Sequence, residues 1–267
     1  MLKLTEIKIY PVKSLGGISL TESEVTSRGF KYDRRWLLVD ENGKFITQRT
    51  YPLMSHINVE IKEKKLVFSN KHTNESLSIS LKPEYNEQKE VIIWNDKVVA
   101  EYVDKNADEW FSEMLKVKCS LVYMPENTNR FVDSKYAHNN EIVSFADAYP
   151  FMIIGQESLN DLNNKLEEKI PMDRFRPNLV FCGGEPFDED KWKSFKIREI
   201  RFYPVKPCSR CVVTTIDQNT GIKNVEPLRT LATYRTINNK VMFGQNLLHK
   251  GAGIIKVGDF LTIEKAN

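Results

Sequence analysis

Two cysteines set three apart, in Pro207-Cys208-Ser209-Arg210-Cys211, are the residues of this chain best suited to soft-metal or redox chemistry. Structural zinc takes four ligands, normally from two such pairs or from one pair and two histidines. Here Cys119 and Cys182 are isolated, and His56, His72, His138 and His249 are scattered. A thioredoxin-like dithiol opens a helix within a βαβ unit, whereas Val212-Val213-Thr214-Thr215-Ile216 is rich in β-branched residues and predicts a strand. Both thiols can also simply pack as small hydrophobes. Arg210 shifts the weight toward chemistry, because a neighbouring guanidinium favours the thiolate form that binds soft metals. If the segment is extended, residues three apart point to opposite faces, so one sulfur alone faces a site.

Three cationic loops accompany the pair. Asp173-Arg174-Phe175-Arg176-Pro177-Asn178 sets two arginines around an aromatic ring and a rigid proline, a pattern suited to a phosphate or carboxylate. Taken alone, the same loop reads more readily as a solvated segment with surface ion pairs. Lys13-Ser14, after Tyr10-Pro11-Val12, and Asp33-Arg34-Arg35-Trp36 are similar and individually weak. Gly251-Ala252-Gly253 lacks both a following GK[ST] and a third glycine, which excludes it as a nucleotide loop.

The elements that must position these loops are mostly strands. Residues 2–10 alternate apolar and polar side chains apart from a slip at Thr5. Residues 18–25 suggest a second strand, and 36–39 and 45–47 flank a hairpin whose Asn42-Gly43 supplies positive φ angles. Residues 57–61 and 66–68 flank a charged turn, and 77–81, 91–94 and 98–103 add short strands. Asp104 caps a helix carrying Ala107, Trp110, Phe111, Met114 and Leu115 on one face. A second helix follows Gly155, with Leu159, Leu162 and Leu166 at helical spacing and Lys169-Ile170-Pro171 ending it. Residues 127–140 form a polar, irregular loop, after which strands return at 179–181, 197–203, 212–216 and 254–263. The fold class is β-rich α+β with two β subdomains and a few helices.

Composition sets the outer bounds. A chain of 267 residues with 41% hydrophobic and 28% charged residues is a soluble globular protein with a real core. Thirty-nine basic against 36 acidic residues leave +3, too little for a nucleic-acid protein. Apolar runs are too short to span a bilayer, and Lys3, Glu6 and Lys8 interrupt any signal-peptide core, so a cytoplasmic location is expected. Four cysteines are too few for a disulfide scaffold.

Taken in order, Tyr10-Pro11-Val12-Lys13-Ser14, Asp33-Arg34-Arg35-Trp36, Phe145-Ala146-Asp147-Ala148-Tyr149-Pro150, Phe175-Arg176-Pro177-Asn178 and Cys208-Ser209-Arg210-Cys211 resemble MOSC proteins. The similarity is to the branch with an N-terminal β-barrel domain, which includes the mitochondrial amidoxime-reducing component and bacterial counterparts. It runs from Leu2 to the Gly253–Asp259 region. The resemblance implies two β-barrel-like subdomains, an N-terminal one over 1–120 and a molybdenum-cofactor-binding one over 121–267. It implies Mo-molybdopterin, with no use of pyridoxal phosphate, and Cys211 as the metal ligand. Lys13, Ser14, Arg34, Arg176 and Asn178 match contacts to the pterin and phosphate end, Ser209 and Arg210 flank the ligand, and Asp147 matches an acid beside the metal. The eukaryotic branch carries hydroxyl-bearing residues after that acid, where this chain has Ala148 and Tyr149. The implied reaction is two-electron reduction of a small N-hydroxylated compound (hydroxylamine, amidoxime or N-hydroxylated base), by a molybdenum-dependent oxidoreductase. Without spare cluster cysteines, the chain is expected to draw electrons from a separate flavin or iron–sulfur protein. Two other activities are compatible with the resemblance: a sulfur carrier holding a persulfide on Cys211, and a non-catalytic cofactor-binding protein.

Overall fold

The computed structural model describes residues 1–82 and 87–266. Seven strands close into a barrel in the order Phe151–Gly155, Leu179–Cys182, Leu2–Ile9, Phe260–Ala266, Trp192–Ile197, Ile200–Ser209 and Lys240–Lys250, the last pairing back onto Phe151–Gly155. Only the first two are parallel, as their connection through the helix Gln156–Asn163 requires. The interior is aromatic and aliphatic: Leu4, Ile7, Phe151, Leu179, Phe181, Phe195, Phe202 and Leu247 are buried together. Phe195 and Phe202 stack at 5.3 Å between ring centroids, and Phe151 meets Phe202 edge-on at 5.4 Å.

The slip in alternation at Thr5 is a β-bulge. Leu4 pairs with Phe181 and Glu6 with Val180, leaving Thr5 as the extra residue, its hydroxyl donating to Val180 O at 3.1 Å. The bulge restores Ile7 and Ile9 to the interior face.

The N-terminal unit holds an antiparallel sheet in the order Trp36–Val39, Ser120–Tyr123, Asp96–Tyr102, Gln88–Ile93, and a second of Ile57–Lys62, Lys65–Asn70 and Ser76–Ser80. The helix Lys105–Leu115 buries Ala107, Phe111 and Leu115 in a core with Trp36, Leu38, Met54, Phe68 and Leu121. Asp104 caps it, accepting from Ala107 N at 2.7 Å. The units interlace. The strand Leu2–Ile9 belongs to the barrel although it precedes the N-terminal unit, and Gly253–Lys256 pairs with Glu22–Thr26, which pairs with Gly29–Phe30. Among the described residues, no helix is long and apolar enough to cross a membrane.

Several expectations need correction. The strand expected over 18–25 is two, Ile18–Leu20 and Glu22–Thr26, and that over 197–203 is interrupted by the turn at Arg198 and Glu199. Among the described residues, 45–47 makes only the bridge of Phe45 to Val39. Residues 212–215 are a 3-10 helix, Val212–Thr215, instead of a strand. The Thr214 and Thr215 hydroxyls bond back to Cys211 O (2.9 Å) and Val212 O (2.7 Å), and these local bonds outcompete a ladder. The second helix ends at Asn163, whose side-chain amide binds both N–H and C=O of Ile170, so Leu166 packs from the following turn. The expected strand over 254–263 is two strands broken at Gly258, φ 98°. In the 40–44 turn only Gly43 has positive φ (73°), and Asp40 accepts from the N–H groups of Asn42 and Lys44 at 2.9 Å each.

The eleven-residue strand Lys240–Lys250 was not expected, because Gly244, Gln245 and Asn246 obscure its alternation. Gly244 has φ 79°, and a Cβ there would sit 2.6 Å from Ile154 Cγ1 and 2.8 Å from Ile153 O, across the closing seam. Gly244→Ala is therefore expected to destabilise the protein by about 1–3 kcal/mol. Urea denaturation measures this, and an unchanged midpoint would show that the seam tolerates a side chain.

Candidate functional site

A cavity of about 300 Å³ opens where the barrel meets the N-terminal unit, and Lys13, Ser14, Arg34, Asp147, Arg176, Asn178, Ser209, Arg210 and Cys211 all line it. Residues from the two ends of the chain thus converge on one space. Three of them hold left-handed backbone that costs a non-glycine residue energy: Ser14 (φ 69°), Arg34 (49°) and Arg176 (56°). Arg176 reaches this conformation as the residue that stops the 3-10 helix Met172–Phe175. Ser14 is fixed through its carbonyl, which accepts from Gln48 Nε2 at 2.8 Å.

One end of the cavity is built on Tyr10. The guanidinium carbons of Arg34 and Arg176 lie 4.5 and 4.2 Å from its ring centroid. Its hydroxyl donates to Pro177 O at 3.1 Å, which ties it to the Arg176 loop. Asp33, almost fully buried, accepts from Tyr10 N (2.8 Å) and from Arg34 Nη1 (2.7 Å). Asn178 is also buried. Its Oδ1 accepts from Arg34 Nη1 at 3.2 Å and Met152 N at 3.3 Å, and its Nδ2 donates to Lys8 O at 3.1 Å. Asn178 thereby acts as a strut that sets Arg34. Among the described residues no carboxylate ion-pairs with Arg176: its Nη2 is buried without an acceptor, and burial, reinforced by the Arg34 charge, pulls its pKa down to about 10. A guanidinium stays protonated in the neutral range, so this environment favours an anion. The other arginines of these loops turn away. Arg174 donates to Thr214 O (2.9 Å) and Arg35 to Met124 O and Glu126 Oε1.

At the other end the strand Ile200–Ser209 stops and Cys211 precedes the 3-10 turn. Cys208 is half-buried beside Met152 and Phe175, whereas Cys211 is exposed to the cavity. The thiols therefore differ because the strand ends between them, and strand alternation is not the cause. Arg210 does not serve Cys211 as its position in sequence suggests. Its Nη1 donates to Cys208 Sγ (3.0 Å) and Met152 Sδ (2.9 Å), its Nη2 to Phe175 O (2.6 Å), and its Nε is buried without an acceptor. The guanidinium next to Cys211 is that of Arg49, with Nη2 3.6 Å from Sγ. Arg49 also lies 5.0 Å from the Trp94 ring. Sequence reasoning missed both, and a separation of 162 residues leaves no local signal joining Arg49 to Cys211. Among the described residues, no three His, Cys, Asp or Glu side chains converge to hold a metal.

Asp147 completes the site. Its Oδ1 accepts from Lys13 Nζ at 2.5 Å and from Trp94 Nε1 at 3.3 Å. Buried Arg130 fixes its loop by donating to Ser144 O (3.1 Å), Ala146 O (2.5 Å) and Asp147 O (2.9 Å). The surrounding protein raises the Asp147 pKa, but the Lys13 charge and hydrogen bond outweigh it and hold the carboxyl well below the usual carboxylate range. Its side chain is 71% exposed to the cavity, so water screens the pair. Lys13 is buried, and desolvation lowers its pKa against the pull of Asp147. A depressed carboxyl contributes stability above its unfolded pKa of about 3.9 and loses it as pH falls through the folded value. The stability difference between wild type and Asp147→Asn is thus expected to be constant above pH ~5 and to shrink below pH ~4. Denaturation from pH 3 to 7 reads it, and parallel curves for the two proteins would remove Asp147 from this pairing.

Residues 1–118 match the MOSC N-terminal beta barrel domain and residues 140–262 the MOSC domain. The chain is 31% identical to mitochondrial amidoxime-reducing component 1 of Mus musculus, over 96% of this chain and 80% of that protein. The human protein of that name is 30% identical over 96% and 81%. Molybdenum cofactor sulfurase of Oryza sativa is 32% identical over 90% of this chain, which spans 32% of that longer protein. With both domains matched in order and the amidoxime-reducing components covered over most of their length, the chain belongs to the MOSC family, in the two-domain form shared with those components.

Proposed function

We propose that this protein is a molybdenum-cofactor-dependent reductase of N-hydroxylated compounds, acting in the cytoplasm with a separate flavin or iron–sulfur electron donor. The observation that carries the reading is the cavity itself, in which an exposed thiol and guanidinium donors without acceptors share one space. A molybdopterin has a thiolate-binding metal and an anionic phosphate, and this donor set fits both. Similarity to proteins named for amidoxime reduction supports the same reading.

In this reading Cys211 ligates the metal, and Arg176 and Arg34 hold the phosphate end on the Tyr10 platform. Lys13, with two N–H donors left after Asp147, and Ser14 hold the pterin. The cofactor supplies the two-electron redox chemistry when bound. The overall balance is R–NH–OH + 2e⁻ + 2H⁺ → R–NH₂ + H₂O. Asp147, ionised and fixed by Lys13 and Arg130, orients the N-hydroxyl group by accepting its hydrogen. Lys13 Nζ holds a proton at Asp147 Oδ1, and the open cavity lets solvent replenish it. Arg210 positions the Cys208–Cys211 turn through Phe175 O.

Molybdenum content, pterin fluorescence and benzamidoxime reduction with a chemical electron donor test the proposal. Cys211→Ala is expected to abolish metal retention and reduction, while Cys208→Ala keeps most of both. Equal losses would point to a site that needs both sulfurs. Arg176→Glu, which exchanges a charge-assisted contact of ~1.5–3 kcal/mol for repulsion, is expected to give folded protein with little pterin. Normal occupancy would reduce that loop to a structural role. NADPH-driven turnover is expected only after a redox partner is added, and efficient turnover by the purified chain alone would contradict this.

The exposure of Cys211 and the similarity to molybdenum cofactor sulfurase favour one second reading, a persulfide carrier. Mass spectrometry separates the two: a labile persulfide on Cys211 without reduction of N-hydroxylated compounds selects the carrier.

A further inference from the structure

The cavity holds more positive charge than a phosphate end requires. Arg49, Lys206 and Lys240 line it together with Lys13, Arg34, Arg176 and Arg210, and Asp147 is the one acid among the lining residues. Arg34 is paired with Asp33 and Lys13 with Asp147. No carboxylate among the described residues ion-pairs with Lys206, Lys240 or Arg49.

Lys206 is the best supported of the three. It stands opposite Asn246 on the neighbouring barrel strand, so the two side chains share a face, and both line the cavity. Asn246 Nδ2 donates to Lys206 O at 3.2 Å, which leaves one of its amide hydrogens unassigned. Lys206 Nζ lies 4.6 Å from the Tyr136 ring, and Tyr136 packs edge-on against Tyr149 at 5.9 Å. The side chain is thus half-buried against Tyr136, and Lys206, Ala148, Tyr149 and Asn246 line the same cavity. None of these residues touches the Tyr10–Arg34–Arg176 cluster through a hydrogen bond or ring contact. Lys206 precedes Cys211 by five positions, so their backbones lie at most ~18 Å apart. A small molecule with one end at the thiol and the other at the ammonium is compatible with that bound.

We propose that the substrate carries an acidic group, a carboxylate or a phosphate monoester, seated on Lys206 and Asn246 while its N-hydroxylated end lies at Cys211 and Asp147. The inference rests on the reductase reading and assigns its substrate class. A lysine ammonium is a point charge without bidentate geometry, so it accepts either acid.

Matched substrate pairs test it on molybdenum-loaded protein with a chemical electron donor. One pair is benzamidoxime and 4-carboxybenzamidoxime; the other is N6-hydroxyadenosine and its 5′-monophosphate. In at least one pair the acidic member is expected to have a kcat/KM about tenfold higher, carried by KM, and the responding pair identifies the acid. Lys206→Met is expected to bring that ratio close to one, and Lys206→Arg to retain it. Equal kcat/KM within both wild-type pairs, or a ratio untouched by Lys206→Met, overturns the proposal. Calorimetric binding of the products benzamidine and 4-carboxybenzamidine separates it from the reductase reading. Salt-sensitive, Lys206-dependent binding of the acidic product without reduction of any substrate refutes the reductase reading and supports the anion subsite. Reduction of both members without preference does the reverse.

Discussion

Seven basic side chains facing one cavity repel one another, and much of the surrounding structure exists to hold them there. Arg34 and Arg176 are the sharpest case, since both guanidinium groups lie against the same phenol ring. Their approach is tolerated because the ring presents negative density, because Asp33 is buried beneath Arg34, and because Arg176 is anchored through its backbone. The left-handed conformations of Ser14, Arg34 and Arg176 belong to the same constraint: each turns a side chain inward where ordinary backbone would carry it elsewhere. What offsets the cost is the aromatic barrel core, whose closed hydrogen bonding leaves the loops little freedom to relax.

The interlaced chain path makes this arrangement rigid across two units. The strand Leu2–Ile9 runs out of the barrel directly into Tyr10, Lys13 and Ser14. Cys208 to Cys211 leave the opposite side of the same barrel from the end of Ile200–Ser209. The N-terminal unit answers with Arg49 and Trp94, which reach Cys211 and Asp147. The site as a whole draws on both units, so a shift between them would separate the thiol from the Arg49 guanidinium beside it.

Short-range patterns were legible in the sequence where local physics decides them. Thr5 broke the alternation because it is a bulge, and Asp104 read as a cap because it caps. The nine candidate residues were singled out by the order of their motifs, a property of the whole chain that no single loop carried, and all nine line one cavity. What could not be read was partner choice. Arg210 is adjacent to Cys211 in sequence yet turns to Cys208, while Arg49 comes from 162 residues away. Val212–Thr215 looked like a strand because β-branched content was weighed without the threonine hydroxyls that bond locally. Lys240–Lys250 was hidden because a barrel seam buries both faces of a strand and needs a glycine where the alternation rule expects a side chain.

The crowding of cations also bears on turnover under the reductase reading. Amidoximes and hydroxylamines are uncharged near neutrality, whereas the amidines and alkylamines made from them take up a proton there. Reduction therefore adds one positive charge to the N-hydroxylated end of the guest, within a field set by Arg49, Lys206, Lys240 and their neighbours. The reacting end is held less tightly once the chemistry is complete, with no moving part required to loosen it. This repulsion is electrostatic, so it weakens as ionic strength rises.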